Sequence, residues 1–248
     1  MAQATFRIWR GEKGSGAFKD YTLEVSEGMV VLDAVHEIQA TQANDLAVRW
    51  NCKAGKCGSC SAEINGSPRL MCMARLNTLP LDKPVTVEPM HTFPSIKDLV
   101  TDVSFNYRAK KKIKPFQPRK PDRPDGTWTI AQQDVERVQE FRKCIECFLC
   151  QDVCHVLRDH SKKEKFGGPR FFVRCASLEM HPLDDDDRLE VVREELGIGL
   201  CNITKCCTEV CPEHIKITDN AIIPLKERVV DRHYDPILWL WRKVTGGR

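Results

Sequence analysis

The sequence predicts an α+β protein whose N-terminal part contains a small sheet and whose C-terminal part is helical. Apolar residues alternate over residues 4–9 and 18–25, which is typical of two paired strands. Much further along the chain, Val135, Val138 and Phe141 recur at helical spacing instead. Most of the thirteen cysteines fall into three runs, which divide the chain in the same way. The cysteine runs are therefore the features on which the prediction is built.

Composition and charge exclude several classes of protein. The 248 residues suffice for two modest domains, each with its own core. The net charge of +3 is too small to indicate a nucleic-acid partner, and no basic stripe is interleaved with aromatic residues. No apolar run approaches the roughly 18 residues that span a bilayer, and the N-terminus has no apolar signal core. We therefore expect the chain on the cytoplasmic side, where disulfides are improbable and many cysteines indicate metal.

The first cysteine run has the spacing C-x4-C-x2-C with a fourth cysteine further along, which is the plant-type 2Fe–2S spacing. Gly55 and Gly58 fit such a loop, because glycine tolerates the torsions and the close approach by which backbone amides turn toward a cluster. A zinc knuckle is the alternative, but zinc sites favour paired C-x2-C elements over C-x4-C. The predicted 2Fe–2S ligands are Cys52, Cys57, Cys60 and Cys72.

The residues around this run predict a plant-type ferredoxin domain, in which a small sheet clasps one helix in a β-grasp. Gly11, Gly14 and Gly16 mark the tip of a hairpin between the first two strands, and Asn65-Gly66 marks a second tight turn. Residues 94–105 predict a further helix, because a proline suits its first turn and its apolar residues share one side. The other predicted elements are a helix over Val31–Ile38 and strands over Ser61–Ile64, Arg69–Met73 and Val85–Val87.

The other two runs are related to each other. Cys144–Cys154 has the bacterial ferredoxin spacing C-x2-C-x2-C-x3-C, in which the fourth cysteine ligates the other cluster of a two-cluster fold. The run from Cys201 to Cys211 has the same steps, but Thr204 stands where a cysteine is due. The crossover therefore predicts one complete 4Fe–4S cubane and one site with three thiolates, which should hold 3Fe–4S. The predicted ligands are Cys144, Cys147, Cys150 and Cys211 for 4Fe–4S, and Cys154, Cys201 and Cys207 for 3Fe–4S.

The remaining cysteines and the histidines receive no ligand role in this scheme. Cys175 is expected to be a small buried apolar residue. Cys206 is an alternative fourth ligand after rearrangement, which would make the third cluster 4Fe–4S. His155 and His181 lie nearest the cluster segments, but a lone histidine is more often structural than a ligand. No catalytic acid, base or nucleophile is identifiable in the sequence.

The segments that connect and follow the runs carry weaker signals. Residues 108–124 are dense in lysine, arginine and proline, which favours a solvated extended linker over a basic strap for an acidic partner or lipid headgroups. Asp184–Asp187 precede a helical stretch, so we interpret them as capping residues and not as a calcium loop. Ile217 to Val230 should form one or two final helices. Trp239 and Trp241 suit either a membrane interface or partner pocket, or a lid on the chain's own core.

These observations predict two domains joined by a linker. Residues 1–105 form the 2Fe–2S ferredoxin-like β-grasp domain, and residues 106–127 form the basic, proline-rich linker. Residues 128–248 form an all-α, bacterial-ferredoxin-like domain with two cubane-type clusters.

With its three motifs in this order, the chain resembles the iron–sulfur subunit of succinate dehydrogenase and of its relative fumarate reductase over nearly its whole length. In that family the 3Fe–4S site likewise has a non-cysteine where Thr204 stands. The resemblance implies a peripheral subunit at the cytoplasmic face of the bacterial cell membrane. Its partners would be a flavoprotein subunit, whose FAD oxidises succinate to fumarate, and hydrophobic anchor subunits, often with haem b. Electrons would pass from FAD through 2Fe–2S, 4Fe–4S and 3Fe–4S to quinone.

The sequence departs from the ubiquinone-reducing members of that family near the third cluster. His155 follows Cys154 where those members usually have proline, and Asn202 follows Cys201 where they have histidine. Those members also place a tryptophan shortly after the cysteine that corresponds to Cys154. This sequence has no tryptophan between Cys154 and Cys201. The quinone contacts of the family therefore do not transfer to this chain, and menaquinone is favoured.

Three other functions remain as alternatives. A fumarate reductase would transfer electrons through the same clusters from quinol to fumarate, and the sequence does not distinguish the two directions. A free polyferredoxin-type shuttle is usually smaller and acidic, whereas this chain has a net charge of +3. A zinc-bound interaction module is the third alternative.

Overall fold

The computed structural model describes residues 2–159 and 164–245. The side chains of Trp239 and Trp241 are outside that description, so the two interpretations of the tail lie outside the described residues. Seven strands occupy the first part of the chain: β1 (Ala2–Glu12), β2 (Ser15–Val25), β3 (Ser61–Ile64), β4 (Ser67–Leu70), β5 (Val85–Glu88), β6 (Ser95–Lys97) and β7 (Val100–Thr101). The helices are α1 (Val31–Thr41), α2 (Ser104–Lys111), α3 (Gln132–Gln139), α4 (Leu149–Asp152), α5 (His155–Arg158), α6 (Pro169–Glu179), α7 (Cys206–Glu209), α8 (Ile223–His233) and α9 (Pro236–Thr245).

The strands form one sheet that clasps α1. Its order is β4-β3-β5-β1-β6-β7, with β2 paired to β1. Strands β1 and β5 run parallel, with Phe6 opposite Val85, while β1 and β2 form an antiparallel hairpin. Helix α1 turns Leu32, Val35 and Ile38 toward the sheet, and all three are fully buried. The α+β class and the β-grasp arrangement are confirmed.

The first hairpin is longer than the sequence predicts. Its two strands extend so far that only Lys13 and Gly14 remain at the tip. Gly11 and Gly16 therefore lie within the strands, directly opposite each other. A Cβ atom on Gly11 would meet the Ser15 carbonyl oxygen at 2.2 Å. These glycines permit a close approach of two backbones, which is a second reason for glycine besides turn formation.

The predicted helix over residues 94–105 is wrong. This segment forms the short strands β6 and β7, and helix α2 begins only at Ser104. The bend between the strands lies at Asp98, whose φ is 45° and whose side chain is buried. Its carboxylate accepts hydrogen bonds from the Gly11 amide (3.0 Å), the Ala47 amide (2.8 Å) and the Arg10 Nε (3.0 Å). Tertiary contacts with distant residues thus override the helical pattern.

Replacing Asp98 by alanine is expected to destabilise the protein by about 3 kcal/mol, because three partly buried donors would lose the buried carboxylate that they share as acceptor. The thermal unfolding midpoint measures this loss. Asp45 provides a matched control, since it binds the same Arg10 but is 71% exposed. Asp45→Ala should cost less than about 1 kcal/mol. Equal shifts for the two variants would contradict the role given to Asp98.

The segment 108–124 is anchored to the helical part at several points, although most of its residues are exposed to solvent, as the linker interpretation predicts. Arg108 to Lys111 belong to α2, and Ile113 is buried. Beyond them, Arg119 N donates to the Leu183 carbonyl oxygen at 2.8 Å. The cause is Arg188, whose fully buried guanidinium donates to the carbonyl oxygens of Lys114 and Pro115. A buried guanidinium must use all its donors, so it fixes the segment that supplies the acceptors. The domain boundaries stay a prediction.

The acidic run before residue 189 has two functions. Asp187 Oδ1 accepts a hydrogen bond from the Leu189 amide at 3.0 Å, as the capping interpretation predicts. Asp184 instead forms a buried ion pair with Arg188, at 3.0 Å. The capping interpretation is therefore correct for Asp187 and wrong for Asp184.

The helical part has its own core, to which α3, α6 and α8 contribute buried apolar residues. Cys175 lies in this core with no exposed surface, as predicted. The predicted final helices are present as a π-helical turn over Ile217–Ile222 that continues into α8, and α9 follows them. None of the helices in the described ranges is long and apolar enough to cross a membrane.

Candidate metal centres

Three of the first predicted ligands, Cys52, Cys57 and Cys60, lie in one loop, and the fourth, Cys72, follows strand β4. Backbone amides of Ala54 and Lys56 donate to the Cys52 Sγ at 3.4 and 3.3 Å. The Gly55 amide donates to the Cys72 Sγ at 3.3 Å, and the φ of Gly55 is 67°. The loop therefore turns several amides toward the sulfurs, which is the arrangement that stabilises negatively charged thiolates.

The thiol pKa values of the other two cysteines of this set, Cys57 and Cys60, are shifted in opposite directions. Burial, together with the neighbouring Cys72 and Cys57, raises the pKa of Cys60 to about 12. Burial also acts to raise the pKa of Cys57, but hydrogen bonds from Ser59 and Cys52 outweigh it and lower the value to about 7. These neighbour effects place Cys60 close to both Cys57 and Cys72.

The second predicted set lines one small cavity. Cys144, Cys147 and Cys150 approach it from the first run, and Cys211 approaches it from the second. The other walls of the cavity are largely apolar. Burial raises the pKa of Cys147 to about 12 and that of Cys150 well above its usual range. Because buried thiolates need a compensating positive charge, this donor set fits an iron–sulfur cluster.

The third predicted set lines a second small cavity. Cys154, Cys201 and Cys207 contribute their thiols, and Thr204 and Cys206 are also in the wall. Burial raises the pKa of Cys154 to about 12 and that of Cys207 to about 11. Cys206 Sγ lies 3.3 Å from the Thr204 hydroxyl, so the alternative fourth ligand borders this site.

The two interlocked runs share one backbone conformation. Glu146 and Phe148, which lie two and four residues after Cys144, have φ of 54° and 64°. Ile203 and Lys205, at the same offsets from Cys201, have φ of 61° and 64°. Non-glycine residues adopt such values rarely, and they concentrate at functional loops. The repeat places Thr204 at the backbone position that Cys147 occupies in the first run.

The loop that carries Cys57 and Cys60 packs directly on the loop that carries Cys144 and Cys147. A Cβ atom on Gly58 would lie 2.5 Å from the Cys147 Cα, and the φ of Gly58 is 69°. The Ser61 hydroxyl lies within hydrogen-bond distance of both the Gly58 carbonyl oxygen (2.9 Å) and the Cys147 carbonyl oxygen (2.8 Å). Cys147 and Leu149 pack into the N-terminal core, whereas Cys150 belongs to the helical core. One loop thus joins the two cores and two of the predicted cluster sites.

Within the part of the chain that the structure describes, no three histidine, cysteine or acidic side chains converge at the distances of a single metal ion. The predicted cysteines are instead distributed around cavities or a loop. The sequence predicts no role at these sites for two residues that the structure places there, Ser61 and Arg170. No sequence signal distinguishes either of them, because their roles depend on which distant loops meet.

Comparison with known proteins finds a family model for each of the two kinds of iron–sulfur domain. The family model for a 2Fe-2S iron-sulfur cluster binding domain matches residues 5–107, and that for a 4Fe-4S dicluster domain matches residues 140–215. The fumarate reductase iron–sulfur subunit of Mycobacterium tuberculosis is 31% identical over 80% of this chain and 80% of its own length. The chain belongs to the family of succinate dehydrogenase and fumarate reductase iron–sulfur subunits.

Other members of the succinate dehydrogenase and fumarate reductase family differ in how much of their length this chain covers. The succinate dehydrogenase iron–sulfur subunit of Bacillus subtilis is 29% identical over 81% of each chain. A chain of the Mycobacterium smegmatis Sdh1 complex, solved in the apo form, is 64% identical, with a TM-score of 0.90 over 95% of this chain and 98% of that one. The chain spans less than half the length of the methanogen iron–sulfur proteins that it also matches.

Proposed function

We propose that this chain is the iron–sulfur electron-transfer subunit of a membrane-associated succinate dehydrogenase. The observation that carries the proposal is the contact between the loop of Gly58 and the loop of Cys147, which brings two predicted cluster sites together. The third predicted site draws its cysteines from the same two runs as the second, which supports placing these two sites side by side. The likeness to a chain of the Sdh1 complex supports the same function.

The cysteines would hold the clusters as the spacing predicts. When bound, the three clusters supply one-electron transfer between the FAD of a flavoprotein subunit and quinone. The chain's own contribution is to hold the loops at fixed separation through the Ser61 hydroxyl and the close packing at Gly58, and to bury some of the thiols, such as those of Cys147 and Cys150, away from water. In this proposal Cys52, Cys57, Cys60 and Cys72 hold 2Fe–2S; Cys144, Cys147, Cys150 and Cys211 hold 4Fe–4S; and Cys154, Cys201 and Cys207 hold 3Fe–4S.

The proposed partners are a flavoprotein subunit and hydrophobic anchor subunits, the latter with haem b, at the cytoplasmic face of the membrane. Quinone would bind near the cavity of Cys154. His155 and Asn202 line this cavity, where ubiquinone-reducing members carry proline and histidine. This difference in the wall supports menaquinone as the acceptor.

Affinity purification of the chain from membranes in mild detergent tests this proposal. We expect a flavoprotein and small multi-span subunits to co-purify, together with succinate–quinone activity. A chain that purifies without detergent as a stable monomer would contradict the proposal and favour a free shuttle. A chain without visible absorbance would exclude iron–sulfur clusters.

Fumarate reduction is the second candidate function, and the 31% identity to a fumarate reductase subunit favours it. The two directions are distinguished by comparing succinate oxidation by quinone with fumarate reduction by quinol in the same purified complex. A faster fumarate reduction with the native quinol would assign the second function.

Replacing Thr204 by cysteine is expected to convert the third cluster from 3Fe–4S to 4Fe–4S. The reason is that Thr204 occupies the backbone position equivalent to Cys147, so the new thiolate would complete the cubane. Low-temperature EPR of the oxidised protein measures the change, because oxidised 3Fe–4S is paramagnetic and oxidised low-potential 4Fe–4S is silent. Thr204→Ser is the control and should keep the signal. A silent wild-type protein would instead indicate that Cys206 is a ligand.

A further inference from the structure

A buried arginine lies in the wall of the cavity formed by the predicted 4Fe–4S ligands. Arg170 is the second residue of α6, and only 6% of its surface is exposed. Its side chain lines the cavity together with the four cysteines. Arginine is rarely buried to this extent unless it is paired. The position is therefore expected to have a specific function.

The guanidinium is held in place by the cluster loop itself. Arg170 Nη2 donates to the Glu146 carboxylate at 2.5 Å, and Glu146 lies between Cys144 and Cys147. Lys110 Nζ donates to the same carboxylate at 2.9 Å. The backbone amide of Arg170 donates to the Gln151 side chain at 3.2 Å. One end of the guanidinium is thus fixed to the loop, and this leaves its Nε as a further donor.

The Nε atom of Arg170 is buried, and no described residue accepts a hydrogen bond from it. A buried charged donor without an acceptor is strongly unfavourable. The cavity beside it is lined by four thiols, which a cluster would convert to thiolates around inorganic sulfide. Sulfur atoms of such a cluster are acceptors, and hydrogen bonds to them, together with nearby charge, set its reduction potential.

We propose that Arg170 raises the reduction potential of the 4Fe–4S cluster by donating its Nε–H to a cluster sulfur and by placing a positive charge beside it. The inference rests on the proposed function, in which these cysteines hold that cluster. Reduction adds one negative charge to the cluster, so a fixed cation and donor stabilise the reduced form more than the oxidised form. Arg170 is a positioning and tuning residue and ligates no iron.

An EPR redox titration of the purified complex tests the proposal. In Arg170→Gln the ratio of reduced to oxidised 4Fe–4S at a fixed potential is expected to fall about tenfold, which is about 59 mV for a one-electron couple. Arg170→Lys keeps the charge but loses the Nε–H, so its shift should have the same direction and a smaller size. Glu146→Gln removes the neutralising carboxylate and should shift the potential upward.

Two controls separate tuning from general damage. Arg174→Gln makes the same charge change one turn further along α6, outside the cavity wall, and should leave the potential unchanged. The 3Fe–4S couple in the same sample should also stay unchanged. The inference is overturned if Arg170→Lys retains the wild-type potential, or if Arg174→Gln shifts it as much as Arg170→Gln does. A wild-type protein without a reducible 4Fe–4S signal would contradict the proposed function itself, whereas a normal signal that the Arg170 variants do not shift would contradict only this inference.

Discussion

Replacing Cys150 by serine is expected to abolish electron transfer from succinate to quinone while the flavoprotein reaction with a soluble dye persists. Cys150 is buried in the wall of the second cavity, and its thiol is the proposed third ligand of the 4Fe–4S cluster. A serine hydroxyl is almost never ionised, so it is a poor substitute for a thiolate. Loss of residues that only support a metal ligand lowers affinity or activity about 10- to 100-fold, and loss of the ligand itself should exceed this range. Iron and sulfide analysis, with quinone-linked and dye-linked rates, measures the effect.

Cys175 supplies the matched control for this substitution. It lies in the same helical core and has no exposed surface, but it lines none of the predicted cluster cavities. Cys175→Ser should therefore keep the full iron content and the quinone-linked rate, with only a modest loss of stability. Wild-type iron content in Cys150→Ser would show that this thiol is not a ligand.

Replacing Gly58 by alanine should separate the 2Fe–2S loop from the 4Fe–4S loop. The new Cβ would lie 2.5 Å from the Cys147 Cα, which is backbone and cannot move aside cheaply. The strained φ of 69° adds about 1 to 3 kcal/mol, and overpacking adds a similar amount. We expect a lower thermal midpoint and slower reduction of the 4Fe–4S cluster by succinate in rapid-freeze EPR.

A matched variant at Gly66 distinguishes backbone strain from overpacking as the cause of these effects. Its φ is 72°, close to that of Gly58, but a Cβ there would meet nothing within 4 Å. Gly66→Ala should therefore lose about 1 kcal/mol and leave electron transfer at the wild-type rate. If Gly58→Ala behaves like Gly66→Ala in both measurements, the loop contact does not matter for electron transfer.

The cysteine register could be predicted from sequence because a ferredoxin-type loop repeats at fixed steps. The structure adds an independent repeat, since residues 146 and 148 have the same positive φ as residues 203 and 205. Spacing alone therefore predicted that Thr204 replaces a cysteine, and the backbone places it at the equivalent position. The ligand assignments themselves stay predictions that the iron analysis above tests.

Two segments show where local patterns were insufficient. The apolar spacing over residues 94–105 is compatible with a helix, but the buried Asp98 carboxylate holds Gly11 and Ala47 and requires a bend. The basic segment 108–124 has the composition of a linker, but Arg188 holds Lys114 and Pro115 through their carbonyl oxygens. In both cases the deciding partner is more than 50 residues away in sequence.

The sequence by itself determined the kinds of cluster that this protein can hold and its family, and it predicted how the two interlocked cysteine runs share ligands. These properties depend on thiol spacing, and spacing is a local property of the chain. Only the tertiary structure decided that the Gly58 loop contacts Cys147, that Ser61 bridges them, and that Arg170 enters the cavity wall. Such contacts depend on how two hydrophobic cores pack against one loop, and no local pattern encodes that packing.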